Sequence, residues 1–272
     1  MTARTARTER TERYGDEIFS HTGKDERDRL SALADVLDPV SVDALAAPGP
    51  GSVRRCLELA AGTGSVALRM LDLFPSAHVT ATELDLRFLE GMRGERLGVL
   101  RHDVTTDEFP EGSFDVIHVR YLLHHLPDRA EVFGRIVRWL APGGRLVIEE
   151  PALFSLEAAR DEVYRRVSLG ALRVLADRIG TDCTDWGLDL PRTAAAHGLT
   201  GIGLRTTVPT VAYDTPMGRF WRLTLDHLGP GIAALPGVHT DDVPTVLDRL
   251  SRPGFIEMGM ATVTLTATKP AF

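Results

Sequence analysis

The groups in this chain whose chemistry stands out are two adjacent histidines, His124 and His125, and a glycine-bearing bend, Glu58-Leu59-Ala60-Ala61-Gly62-Thr63-Gly64. An imidazole, with an ordinary pKa of about 6.5, can take a proton from a hydroxyl, amine or carbon acid near neutral pH. A bend with two glycines can adopt left-handed dihedrals and lay bare backbone amides against a ligand. Glu83 lies 19 positions after Gly64, close to the spacing of about 20 at which an acid binds ribose hydroxyls after such a bend. Its two oxygens could accept from both vicinal hydroxyls, a solvated surface acid being the alternative. Paired histidines can also suggest a metal, but no His, Asp or Glu accompanies them at ligand spacing, so no metal is expected.

These groups need elements to position them. Residues 53–59 read as a short apolar strand feeding the bend, and a helix follows from Ser65 to about Phe74. Residues 78–85 make a second strand with an acidic end, residues 98–104 a third that ends at Asp103, and residues 114–119 a fourth. Arg120, Tyr121 and the two histidines come directly after the fourth strand. A helix over 129–140 is stopped by Ala141-Pro142-Gly143-Gly144, and residues 144–150 form a fifth strand. Strands alternating with helices at this pitch predict a doubly wound parallel sheet, with the reactive groups in the crevice at the strands' carboxyl ends.

Either side of this core the pattern changes. Residues 1–13 repeat every three positions without a large apolar side chain and read as a disordered tail; a transit peptide is the sharper reading, which Glu9 and Glu12 spoil. Residues 14–50 form an N-terminal helical segment, helical from 25 to 46 and closed by the breaker at 47–51. Beyond the core at 51–151, residues 152–272 would supply helical lid elements and the last strands of the sheet. The lid inserts are 152–191, with helices over 156–179 and 192–197 nearby, and 214–252, helical but interrupted at Gly229-Pro230-Gly231 and Leu235-Pro236-Gly237. The β-rich stretches are 200–213 and 255–269.

Composition narrows the function. A formal charge of −7 argues against a nucleic-acid partner gripped by a broad basic face. No run approaches the roughly 20 apolar residues of a membrane span. Cys56 and Cys183 offer neither metal spacing nor a disulfide framework, which points to a reducing, cytoplasmic setting with Cys56 as a small buried hydrophobe.

Two ligand classes fit the bend. Gly62-Thr63-Gly64-Ser65-Val66-Ala67 matches a dinucleotide fingerprint with Ala for the last glycine, and would make the chain an NAD(P)-dependent oxidoreductase. The other reading is decided by order along the chain. Glu58-Leu59-Ala60-Ala61-Gly62-Thr63-Gly64, Glu83, Asp103-Val104, Phe114-Asp115-Val116-Ile117-His118 and Leu140-Ala141-Pro142-Gly143-Gly144-Arg145-Leu146 together resemble a class I S-adenosylmethionine (SAM)-dependent methyltransferase. Through Arg120-Tyr121-Leu122-Leu123-His124-His125-Leu126-Pro127-Asp128 the chain looks like the actinobacterial small-molecule methyltransferases.

The resemblance implies a Rossmann-like, doubly wound, mainly parallel seven-stranded sheet with an antiparallel C-terminal strand and helical lid insertions. The two late β stretches would be two antiparallel strands at its end. It implies SAM as cofactor, S-adenosylhomocysteine as product, and methyl transfer to the oxygen, nitrogen or carbon of a small, secondary-metabolite acceptor; a homodimer is compatible with it. A cyclase or scaffold that holds SAM without transferring methyl is a further alternative.

By the resemblance, Glu83 and Leu84 meet the ribose, Asp103 and the Val104 amide meet the adenine, and Ala60, Gly62 and Gly64 form the floor. Ala60 departs from the family's more frequent glycine. Glu58 would meet the methionine ammonium, or else cap the turn. Arg87 lies over the adenine or faces solvent, and Arg120 lines the methionine end. His124, in His-x-x-x-Asp ending at Asp128, is the candidate base, with His125 a packed neighbour. Tyr14, Tyr121, Trp186, Trp221 and His227 are candidates to contact the acceptor, ordinary core packing being the competing reading.

Overall fold

The computed structural model of the chain describes residues 18–20, 23, 25–46, 53–181 and 186–271. The tail at 1–13, Tyr14, the breaker at 47–51 and Cys183 lie outside the described residues.

Helix α1 (Glu26–Ala46) precedes strand β1 (Arg55–Leu59), helix α2 (Ser65–Leu73) and strand β2 (His78–Glu83). Then come β3 (Leu97–Arg101), β4 (Phe114–Arg120), α3 (Arg129–Trp139) and β5 (Leu140–Ala152). The second half runs α4 (Phe154–Glu157), α5 (Glu162–Ile179), α6 (Trp186–Ala196), β6 (Thr200–Thr207), β7 (Thr210–Ala212), α7 (Pro216–Ala233), α8 (Asp242–Leu250), β8 (Ile256–Met258) and β9 (Ala261–Thr268).

Seven strands form one sheet in the order β3-β2-β1-β4-β5-β9-β6. The first five are parallel, and β9 lies antiparallel to both β5 and β6. Only β9 runs against the rest, which is the antiparallel C-terminal strand expected of a mainly parallel seven-stranded sheet; β6, antiparallel to β9, runs with the first five. Residues 200–213 and 255–269 do not pair along their whole lengths: β7 and β8 split off as a separate two-stranded sheet. The Pro-Gly-Gly stop after α3 is a bulge inside β5, whose register against β4 shifts between Leu140 and Arg145, with Gly143 at φ 75°.

The order reverses between β1 and β4, the topological switch point at which a crevice opens beyond the carboxyl ends of parallel strands. One sheet face is covered by the end of α1 and by α2, through Ala44, Leu45, Val66 and Met70. The other is covered by α3 and α6, through Phe133, Ile136, Leu190 and Ala194. A third core joins the start of α1 to α5, α7 and α8, through Leu33, Leu37, Leu172, Leu175, Trp221 and Val246.

Two expectations give way here. Helix α7 runs unbroken through Gly229-Pro230-Gly231 to Ala233. Its glycines serve close packing rather than a break: a Cβ on Gly231 would stand 2.9 Å from Val174 on α5, and one on Gly229 3.3 Å from Val243 on α8. Helix α6, from the expected lid insert and its neighbour, starts at Trp186 and packs on the sheet instead.

Candidate active site

The bend after β1 is built to expose backbone. Ala60, Gly62 and Gly64 have φ of 54°, 55° and 77°. Gly64 is at close quarters, since a Cβ there would lie 2.6 Å from Met92 Cε and 2.9 Å from Leu89 Cδ2. Gly62 is open, with only Leu30 Cδ1 near the position of a Cβ, at 3.9 Å. Ala60 has no glycine's freedom, and its left-handed backbone costs roughly 1–2 kcal/mol. Its methyl group is thus held in strain at the cavity wall, where such residues concentrate.

Glu83, at the tip of β2, ties this bend down. One carboxylate oxygen accepts from Gly62 N–H at 3.0 Å and the other from Leu84 N–H at 2.8 Å. Each oxygen has a second lone pair, so neither bond prevents a further donor from binding. Asp103, just past β3, accepts from Thr105 N–H at 3.0 Å and from the Thr105 hydroxyl at 2.6 Å. The neighbouring Val104 carbonyl takes a hydrogen bond from Arg135 at 2.9 Å.

A chain of buried charges runs beneath the bend. Glu58 Oε2 lies 2.7 Å from His118 Nδ1, and His118 Nε2 lies 3.3 Å from Glu149 Oε2. Glu149 also accepts from Ser41 and Thr264, while Arg120 bridges Ser41 and Asp38 at 3.0 Å each. Ser65, opening α2, donates to Asp38 at 3.0 Å. Burial alone would lower the pKa of His118, but the charge of Glu58 and hydrogen bonds to both acids outweigh it and raise it to about 9. Burial would likewise raise Glu149, and its bond to His118 instead draws it below the ordinary carboxylate value. Glu58 therefore meets an imidazolium on one oxygen while still bordering the cavity.

Beyond β4, Tyr121 takes φ 54° and its hydroxyl lies 2.6 Å from Thr262 on β9. A single 3-10 turn at Leu123–His125 then presents the two histidines. His124 Nδ1 lies 2.6 Å from Glu150 Oε2, and the same carboxylate accepts from the Leu123 and His124 backbone N–H groups at 2.8 and 3.2 Å. Glu150 is wholly buried near the end of β5. Three bonds from one turn thus hold the imidazole by its Nδ1 side. His125 packs at 3.7 Å between ring centres, and burial above all pushes its pKa well below the ordinary value.

The bend, the strand-tip acids and the two histidines meet in one cavity of about 540 Å³, with His118, Glu149 and Glu150 behind its wall. Among the expected residues, Glu58, Ala60, Gly62, Glu83, Leu84, Asp103, Val104, Arg120, Tyr121, His124 and Trp221 border it. Four do not. Arg87 pairs with Asp85 at 2.8 Å and is half exposed, away from the cavity wall. Gly64 lies behind the bend against Met92 and Leu89. Trp186 stacks under Arg129, 5.1 Å away, at the edge of the α3–α6 core. His227 stacks on Phe19 at 4.6 Å, one residue removed from the wall.

Sequence reasoning missed several residues. Glu150 had a signal, since it is a fourth acid at a strand's carboxyl end after Glu58, Glu83 and Asp103. Glu26 and Arg29 also border the cavity, and their separation by one helical turn was visible though unremarked. His118 and Glu149 had none, because their pairing is made only across the sheet. Among the described residues, no three His, Cys, Asp or Glu side chains come together as a metal site, and no helix is long and apolar enough to cross a membrane.

Comparison with known proteins gives this geometry a family. Residues 57–148 match the methyltransferase-domain family. Methyltransferase str3 of Strobilurus tenacellus is 36% identical over 104 residues, which is 37% of this chain and 36% of that protein. Demethylmenaquinone methyltransferase of Thermus thermophilus is 33% identical over 103 residues, 36% of this chain and 47% of that protein. The chain thus spans between about a third and a half of these curated relatives. Among solved structures, phosphoethanolamine N-methyltransferase 2 of Haemonchus contortus, bound to phosphomonomethylethanolamine and S-adenosylhomocysteine, shares the fold at TM-score 0.57 and 16% identity, covering 93% of this chain and 59% of that one. An O-methyltransferase family protein of Burkholderia thailandensis does so at TM-score 0.54 and 16% identity, covering 94% and 63%. The sequence match sets residues 57–148 with methyltransferase domains rather than with dinucleotide enzymes, and the fold is shared with a methyltransferase whose solved structure holds S-adenosylhomocysteine.

Proposed function

We propose that the chain transfers a methyl group from SAM to a small-molecule acceptor, with His124 as the base and Glu150 as the residue that positions it. One observation carries this reading: a single cavity has acids at its strand-tip end, an apolar chamber under α5 and α7, and on its wall His124, held from behind by the buried Glu150. Bound SAM would supply an electrophilic methyl carbon on sulfur, the S–CH3 bond breaking with its electron pair returned to sulfur.

The chain's own residues account for the rest. Glu83 holds the bend in place and keeps lone pairs for the two ribose hydroxyls. Asp103 and Val104 border the adenine end, and Glu58, Ala60 and Arg120 the methionine end. A carboxylate on Nδ1 fixes that proton there, so Nε2 is the nitrogen left to accept the acceptor's proton. Exclusion of water matters because charge is dispersed in this displacement, and alignment of the reactants supplies much of the rate. The Thermus relative acts, by its name, on demethylmenaquinone, which supports a small-molecule acceptor here. A secondary-metabolite acceptor in the cytoplasm is the finer form of the same proposal.

The test is conversion of SAM to S-adenosylhomocysteine, followed by mass spectrometry over a panel of hydroxylated aromatic acceptors. The expected result is a methylated product, with turnover lowered about 100-fold or more in His124→Ala, the range for a lost general base. SAM bound but never consumed would favour a scaffold or a cyclase.

A further inference from the structure

On the reading above, the methionine end of SAM meets Glu58, and what holds that carboxylate lies behind it in the sheet. Strands β1, β4, β5 and β9 are neighbours. Glu58 and His118 are register partners across β1 and β4, and Glu149 and Thr264 across β5 and β9. Glu149 lies two residues beyond Val147, the β5 partner of His118, and so shares its face. A bonded row, Glu58 to His118 to Glu149 to Thr264, thus crosses four strands, and Ser41 of α1 closes it by donating to Glu149.

Only the first member of this row borders the cavity; His118 and Glu149 are wholly buried. Glu58 has two oxygens to offer. Oε2 lies 2.7 Å from His118 Nδ1, while Oε1 takes no hydrogen bond from any described residue. The terminal torsion of a glutamate is broad, so a fixed orientation must come from a neighbour. His118 supplies it. With its pKa raised to about 9 the ring is protonated at neutral pH and donates through both nitrogens, one to each acid.

We infer that His118 is a positioning residue for the cofactor: by holding Oε2 it turns Oε1 of Glu58 to the ammonium of SAM, and so sets a preference for ligands that carry the α-amino group. Without the imidazolium, two buried acids lose the cation they share. A carboxylate so placed takes up a proton, and a neutral acid holds an ammonium less well. A row that only braced the sheet would affect stability and leave the preference unchanged.

The experiment titrates the protein at neutral pH with S-adenosylhomocysteine and with deamino-S-adenosylhomocysteine, which carries hydrogen in place of the ammonium. The wild type should bind S-adenosylhomocysteine about tenfold tighter or more, the scale of one charge-assisted hydrogen bond. In H118Q that ratio should fall to within about threefold, through loss of affinity for S-adenosylhomocysteine and not for the deaminated ligand. The double variant H118Q/E149Q removes one charge of each sign, should lose the ratio likewise, and serves if H118Q does not fold. A wild type indifferent to the amino group, or a ratio that survives in the variants, would overturn the inference. Failure of S-adenosylhomocysteine to bind the wild type would instead defeat the proposed function and this inference with it.

Discussion

Raising the pH from 6.5 to 9.5 should destabilise the fold by releasing His118 from its two acids. His118 is wholly buried between Glu58 and Glu149, and its pKa is raised from 6.5 to about 9. Each tenfold in proton affinity corresponds to about 1.4 kcal/mol, so the charged triad contributes on the order of 3 kcal/mol. Because the folded pKa is the higher one, this contribution is complete below about 6.5 and is lost as pH climbs through about 9. Other shifted groups leave most of that window clear. His102, His125 and His227 are lowered, so their contributions are complete above the ordinary 6.5 and change only on the acid side. Burial raises Cys56 from 9.0 to about 12, so its loss begins near pH 9, inside the window but equally in wild type and in a His118 variant, while Tyr121 and Tyr164, also raised, lose stability only above it. Urea unfolding at several pH values should show the fall in wild type and a much smaller one in His118→Gln, confined to the range above about pH 9 where Cys56 contributes. The same stability at pH 6.5 and 9.5, or the same slope in both proteins, would refute the reasoning.

Glu150→Gln should cut turnover by about 100-fold while SAM affinity holds, since an amide facing Nδ1 removes the charge-assisted bond and misplaces the proton; turnover within twofold would deny Glu150 its positioning role. Glu83→Gln should weaken SAM binding by roughly tenfold or more in calorimetry, because a carboxamide offers one acceptor oxygen where the bend and ribose use two. An unchanged affinity would show that the ribose is held elsewhere. Ala60→Gly should leave stability equal or raise it by up to about 1 kcal/mol, left-handed strain being relieved against glycine's entropy. A loss of more than that in urea would mean the methyl group packs favourably.

Much of the core could be read from the chain because its signals are local. Apolar runs ending in Glu58, Glu83 and Asp103 mark three strand tips, and the glycines of the bend are where backbone must turn left-handed. Long-range pairings were hidden. Glu150 meets His124 across 26 positions, and His118 meets Glu58 across 60, so neither partner announces the other in sequence. Gly229-Pro230-Gly231 reads as a break because propensity is local, whereas packing on Val174 and Val243 decides the outcome. Trp186 reads as a lid aromatic for a similar reason, its real neighbours being set by where α6 lands on the sheet. Arg87 reads equally as lying over adenine or facing solvent, and its pair with a carboxylate two residues away stands apart from the cavity wall.

The account rests on an adenosyl sulfonium occupying the cavity at the β1–β4 switch point. Calorimetric titration with SAM, with NADH as competitor and the product assayed afterwards, tests this most directly. Saturable SAM binding, indifferent to NADH and followed by S-adenosylhomocysteine when an acceptor phenol is added, is the result expected. Saturable NADH binding with no binding of SAM would contradict it.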